Sequence, residues 1–308
     1  MANEKSTVLV VGATGTVGRE VLRAAVRAGA RVRALVRAAA SANELASQVE
    51  AVVGDLRDEV AVQRALQGVR AAFYVSPHEP DEEALAERFI RACEASGARL
   101  VFGGVHIDAA SRLGRWAKRA LYSRIFPHYA PKFRLGERMR QSRANPVVLV
   151  PTNFFQNDEL FLPEIVAGHF VQGFERPVNR IDVRDLGEAA LRALLDDSVP
   201  SGAYAIVGPE SLTGEACAAV WAQALGRPVR SAPEHIDAAI ERAMSGKKGR
   251  DFRASYQLLR RFELPTRPAE LAQTAYLLGR QPTPYSAYVR DLAASVASSS
   301  QRRLRSLG

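Results

Sequence analysis

Cysteine is nearly absent: Cys93 and Cys217 are the only two in 308 residues. They stand far apart within helical patterns and have no paired or metal-type spacing, which excludes a disulfide framework and suits a reducing compartment. Both are expected to be buried, inert thiols. The five histidines have no ligand spacing either, so no metal centre is expected. No apolar run approaches the roughly 18 residues that would suggest a membrane span, and the opening MANEKST lacks the apolar stretch of a secretion signal. A cytoplasmic protein is the expectation. There is no Gly/Ser-rich or Pro-rich hinge and no internal repeat, so the parts of the chain are expected to interleave rather than hang on a linker.

Acidic residues are missing from one stretch. Between Ala110 and Arg143, ten Lys or Arg face Glu137 alone, a surplus equal to the formal +9 of the whole chain. A positive field there favours an anionic ligand, a cofactor phosphate, an acidic partner or nucleic acid, while a solvated helical face is the plain alternative. Within it, SRLGRWAKRALYSRIF (111–126) puts Leu113, Trp116, Ala117, Ala120, Leu121 and Ile125 on one helical face with arginines largely opposite. Three readings stand: a lid over an aromatic substrate, a membrane-surface helix, or a helix packed on the body of the protein. Nucleic-acid binding is not expected, since no recognised module is present and Trp116 and Tyr122 make no stacking platform.

What the chain does have is a regular alternation. VLVV (8–11), ARVRALV (30–36), EAVVGD (50–55), RAAFYVS (70–76), RLVFGG (99–104) and PVVLVP (146–151) read as strands. The amphipathic stretches 18–29, 59–68 and 81–97 read as helices ending at Gly29, Gly68 and Gly97. Such alternation predicts right-handed crossovers and an α/β fold, a Rossmann-like doubly wound parallel sheet. After Pro151 the pattern turns mainly helical, interrupted by the strand-like AYAIVG (203–208). The expected division is a Rossmann-like sheet domain at 1–155, a smaller mostly helical part at 156–298 interleaved with the sheet, and a frayed basic tail at 299–308.

VLVVGATGTVGREVL places Gly12, Gly15 and Gly18 between the first strand and the first helix. There the glycines serve the turn, the close approach of a pyrophosphate and tight helix packing, with the helix N-terminus facing the phosphates. Gly12, Thr14, Gly15, Thr16, Val17 and Gly18 are therefore the predicted phosphate-binding loop. The second strand ends without the acid that NAD enzymes usually place on the ribose, and offers Arg33 and Arg37. A guanidinium suits a 2′-phosphate, so NADP is favoured over NAD, with Arg37 as the contact. Asp55 and Leu56, after the third strand, belong on the adenine side, and Val75, Ser76 and Pro77, after the fourth, fall along the phosphates and ribose.

With these residues in view, the chain resembles the NmrA-like group of atypical short-chain dehydrogenase/reductases. The likeness rests on GATGTVG (12–18), RALVR (33–37), GDLRD (54–58), PTNFFQN (151–157), IDVRDLGEAA (181–190) and LGRQPTPYSAYVRD (278–291), and spans nearly the whole chain. It implies a Rossmann-like domain with a small C-terminal domain, NADP or NAD at the glycine loop, and a substrate cleft between the parts. Members include quinone reductases, reductases of plant phenolics, and cofactor-binding regulators. The resemblance further implies Asn153 and Phe154 near the nicotinamide end. It also sets Lys132 close to the place of the lysine that acts in the phenolic reductases. IDVRD is expected either to line the cleft or to form salt links.

The commoner Ser with Tyr-x-x-x-Lys is missing. The fifth strand ends in Gly103 and Gly104 where a serine would stand, and Tyr129 is three residues before Lys132, with Pro131 arguing against a helix through 129–132. Hydride transfer does not itself need that triad. Lys132, which is also expected to contact the cofactor, and then Tyr129 are the predicted proton donors, and His106 and His128 are weaker candidates. The expected function is NADPH-dependent reduction of a small hydrophobic carbonyl or quinone. The alternative is an NADP-binding redox-sensing regulator without turnover. The sequence leaves the oligomeric state open.

Overall fold

A computed structural model describes residues 7–45, 49–77, 79–105, 112–125, 129–260 and 263–305. The chain forms two compact units, one of Met1–Pro151, Val183–Ile206 and Ala272–Arg280, the other of Thr152–Asp182, Val207–Leu271 and Gln281–Gly308. The first begins β1 (Thr7–Val11), α1 (Thr16–Arg27), β2 (Arg31–Val36), α2 (Ala39–Leu45), β3 (Glu50–Val53), α3 (Glu59–Leu66), β4 (Val69–Val75) and α4 (Glu82–Ser96). It goes on through β5 (Arg99–Gly103), α5 (Arg112–Ile125), α6 (Ala130–Arg140) and β6 (Val147–Pro151). The second unit opens with β7 (Asn153–Phe154), α7 (Leu162–Val166), β8 (His169–Phe170) and β9 (Val178–Ile181), after which α8 (Val183–Leu195) and β10 (Gly202–Ile206) return to the first. β11 (Ser211–Leu212), α9 (Gly214–Leu225), β12 (Arg230–Ser231), α10 (Ile236–Ala243), α11 (Gly246–Leu259), α12 (Pro268–Leu278) and α13 (Tyr285–Arg305) complete the chain.

The first unit is a seven-stranded sheet in the order β10-β6-β5-β4-β1-β2-β3, parallel at every pairing. Its inner strands carry continuous apolar runs because both faces are covered: Val8, Leu9 and Val10 on β1 and Leu100 and Val101 on β5 are wholly buried. On one face α3, α4 and α6 bury Leu66, Phe89, Leu135 and Met139 against Tyr74 and Phe102. A buried side chain such as Phe89 contributes roughly 1.5–3 kcal/mol. Elsewhere in this unit α8 meets α1 so closely that a Cβ on Gly187 would lie 2.7 Å from the Glu20 backbone. The helix stops read from the sequence hold, with Gly29, Gly68 and Gly97 all at left-handed φ. α3 is capped by Asp58, whose carboxylate accepts from the Val60 and Ala61 amides.

Two expectations change. Pro131 does not break a helix but lies in the first turn of α6, where its missing N–H costs nothing. The basic end is helical through Arg305, because α13 is anchored by buried Tyr285, Tyr288, Val289 and Ala293 and propagates from that anchor.

In the second unit, β7, β9 and β11 form a small sheet and β8 pairs with β12. One cluster gathers Phe155, Phe170, Trp221, Tyr285 and Tyr288, another Phe161, Val171, Phe174 and Tyr256. Arg180 of β9 joins them, its guanidinium lying 5.7 Å from the Phe155 ring centre, 5.2 Å from Tyr285 and 5.7 Å from Phe174.

Candidate functional site

Strand order reverses between β4 and β1, and the turns after these strands flank the crevice where parallel α/β sheets bind ligands. Gly12 leaves β1 at φ +79°, and a Cβ there would lie 2.8 Å from Val75 Cγ1. The Gly15 amide closes the turn on the Gly12 carbonyl at 2.9 Å. Gly18 brings α1 against that turn, where a Cβ would sit 2.1 Å from the Gly12 oxygen. Thr14, Gly15 and Thr16 are exposed, Val17 is half-buried, and no side chain caps the N-terminus of α1. The result is a glycine-lined turn opening onto the N-terminus of α1, with the Arg19 guanidinium donating to the Thr14 carbonyl at 3.1 Å, an arrangement that fits a dinucleotide pyrophosphate.

The next strand ends carry an ion-pair cluster. Arg37, largely exposed, donates to Glu79 at 2.8 Å. Arg57 donates to Glu79 at 2.6 Å and to Asp81 at 2.8 Å and 2.9 Å, and reaches Asp55 at 3.2 Å. These partners, Glu79 and Asp81 first, raise its pKa above the ordinary arginine value. Asp55 also accepts the Arg57 amide, and Leu56 packs against the core. Arg33 is structural: it pairs with Glu50 at 2.9 Å and donates to the carbonyls of Ala65 and Gln67.

Lys132 lies in the first turn of α6, and its ammonium donates to Glu82 Oε2 at 2.9 Å. The Ser76 hydroxyl donates to the same oxygen at 2.7 Å and also contacts the Pro77 carbonyl. The lysine and glutamate side chains are 13% and 10% exposed, so this is a largely buried pair. The Tyr74 hydroxyl is buried without a hydrogen-bond partner among the described residues. Burial first, then the Glu82 carboxylate, raises its pKa. Tyr129 stands at the N-cap of α6 with its ring stacked on Phe133 at 6.2 Å.

Glu82 was not among the expected site residues, yet a signal for it existed. It lies three and seven residues before Leu85 and Phe89, on the buried stripe of α4. The missing serine has a steric reason: a Cβ on Gly103 would lie 2.9 Å from Phe73, and one on Gly104 2.2 Å from the Phe102 ring. α6 also meets α4 through Arg134–Glu83 and Arg138–Glu87, at 2.9 Å and 2.8 Å. The basic block is thus matched by acids along α6, and the expected positive surroundings of Lys132 give way to paired charge.

Asn153 and Phe154 belong to the second unit. There Arg180 donates to the Asn153 side chain at 3.3 Å, to the Phe154 carbonyl at 2.9 Å and to Asp158 at 2.5 Å. Asp158, wholly buried, also accepts from Gln172, Trp221 and Tyr285. Burial is the largest influence on Arg180 and lowers its pKa, but the Asp158 carboxylate, with Tyr285 and Cys217 beside it, outweighs burial and the net shift is upward. Within IDVRD, Asp182 accepts from Gln156 at 2.8 Å in the second unit, and Asp185 accepts from Arg280 at 2.7 Å in the first. His106 and His128 lie outside the described residues. Among the described residues no three metal-binding side chains gather, and no helix is long and apolar enough to cross a membrane.

The NmrA-like family model matches residues 4–264. The chain belongs to the NmrA-like family. It is 33% identical over 249 residues to the NAD(P)H azoreductase of Xenophilus azovorans, covering 78% of this chain and 80% of that protein. Solved structures share this NmrA-like fold. The triphenylmethane reductase of Citrobacter sp. complexed with NADP(H) aligns with TM-score 0.75 at 18% identity, over 94% of this chain and 100% of that one. The NADPH-dependent quinone oxidoreductase of Escherichia coli complexed with NADPH aligns with TM-score 0.72 at 19% identity, over 92% and 99%.

Proposed function

We propose that the protein is an NADPH-dependent reductase of a small hydrophobic carbonyl or quinone. The observation that carries this reading is the glycine cradle at the strand-order reversal, with Ser76 and the Lys132–Glu82 pair on neighbouring elements. The relatives support the chemistry: an NAD(P)H azoreductase is 33% identical over 249 residues, and two proteins of the same fold are reductases bound to NADPH or NADP(H).

The loop from Gly12 to Gly18 would hold the pyrophosphate, Arg37 the 2′-phosphate, Asp55 and Leu56 the adenine side, and Val75, Ser76 and Pro77 the ribose and phosphates. Asn153 and Phe154 would face the nicotinamide. When bound, the reduced nicotinamide supplies the hydride. Lys132 holds a proton at Nζ for the acceptor's oxygen, and solvent restores it. Glu82 is a positioning residue, fixing the ammonium and the Ser76 hydroxyl through one carboxylate oxygen. Tyr129 is the secondary donor. On this reading the protein acts on a small molecule in the cytoplasm.

One observation favours a second reading. Lys132 is engaged by Glu82, and Gly103 and Gly104 leave no room for the usual serine, as would suit an NADP-binding sensor without turnover. Consumption of NADPH against quinones, enones, azo dyes and triphenylmethane dyes separates the two. Turnover with at least one class, weaker with NADH, is expected; stoichiometric NADPH binding with no oxidation across the panel would leave the sensor.

A further inference from the structure

The basic block divides into two unlike halves. Lys132, Arg134 and Arg138 of α6 pair with acids of α4 and Arg140 with Glu137 of its own helix, whereas the α5 sequence holds Arg112, Arg115, Lys118, Arg119 and Arg124 and no acid. The apolar face of α5 is not packed away. Leu113 is 75% exposed, Trp116 59% and Leu121 54%, and Ala117 and Ala120 between them are exposed as well. Large side chains left in water along one face mark a surface that something covers.

Charge selects among the candidates. A second copy laid on this face would set five cations against five, which like-charge repulsion opposes. A small neutral acceptor would cover one or two side chains, not a stripe whose ends, Leu113 and Leu121, are about 12 Å apart along the helix. An apolar stripe with Trp near its middle, on a helix whose charged residues are all basic, matches the lipid–water interface of an anionic bilayer. We propose that α5 docks this protein on anionic membrane surfaces, with Leu113, Trp116 and Leu121 entering the acyl boundary and the helix cations on lipid phosphates. This inference does not rest on the reductase reading, because docking is read as binding and stands or fails apart from turnover.

Trp116 is one of two tryptophans, and the other, Trp221, is wholly buried, so lipid-dependent emission changes report on α5. The full chain is mixed with phosphatidylcholine vesicles with and without phosphatidylglycerol. Binding at least about tenfold tighter to the anionic vesicles is expected, weakened by salt, with a blue shift of Trp116 and quenching by brominated acyl chains. Leu113→Glu with Leu121→Glu abolishes the binding while NADPH affinity and the thermal midpoint stay unchanged, since both side chains are exposed. Equal binding to neutral vesicles, no binding, or binding that survives the double variant overturns the proposal. So does a dimer that the double variant dissolves, which would assign the face to a second copy. A Trp116 shift that needs NADPH and quinone but no lipid would assign it to substrate.

Discussion

Arg37 and Glu79 show how a single side chain can change a prediction taken from the sequence. The guanidinium expected to receive a phosphate already holds a carboxylate at 2.8 Å, while Glu79 keeps a second partner in Arg57. Phosphate binding would therefore exchange one anion for another. An exposed pair of this kind is worth about 0.5–1 kcal/mol, so Glu79→Gln is expected to tighten NADPH about two- to fivefold and leave NADH unchanged. Fluorescence titration of the two nucleotides checks this, and an unchanged NADPH affinity would refute the exchange. Glu82 differs because its pair with Lys132 is largely buried. Glu82→Ala leaves an ammonium without its partner and is expected to cost about 3–5 kcal/mol in a urea melt. Glu83→Ala, which breaks an exposed pair, should cost about 1 kcal/mol or less.

Among the elements, legibility followed length and periodicity. β1 to β6 and α1, α3 and α4 were readable because runs of four to fifteen residues with caps and glycine stops carry a repeating pattern. β7, β8, β11 and β12 were not, because two residues show no period and their pairings come from distant partners such as Ser211 opposite Asn179. The glycine cradle was legible because backbone conformation demands glycine. The inward turn of Glu82 was obscured by its place in the acidic run DEE, where an exposed helix start is the ordinary reading. β9 depends on a pair that no spacing announced: Arg180 and Asp158 stand 22 residues apart and are wholly buried. Asp158→Ala strands Arg180 in the core and is expected to destabilise by about 3–5 kcal/mol, measured by chemical denaturation. A loss below about 1 kcal/mol would show that the pair does not hold the second unit together.

Across the whole molecule, burial makes the native state prefer neutral thiols and phenols. Cys93 and Cys217 are pushed up to about 12 by desolvation, and Tyr256 likewise to about 12. From about pH 9, the ordinary thiol value, to about pH 12 the unfolded chain has shed protons that the native chain keeps. The native state then binds more protons, so its stability is full below that window and falls as pH rises through it. The thermal midpoint should decline above about pH 9, and both thiols should resist a disulfide reagent until denaturant is added. Fast labelling of the native protein would contradict the burial. The central claim is tested most directly by stopped flow. NADPH-loaded wild type and Lys132→Ala are mixed with the quinone that turns over best, and loss of the nicotinamide absorbance is followed. The account predicts transfer slowed about 100-fold or more in the variant, with NADPH affinity within about threefold of wild type; equal rates would contradict it.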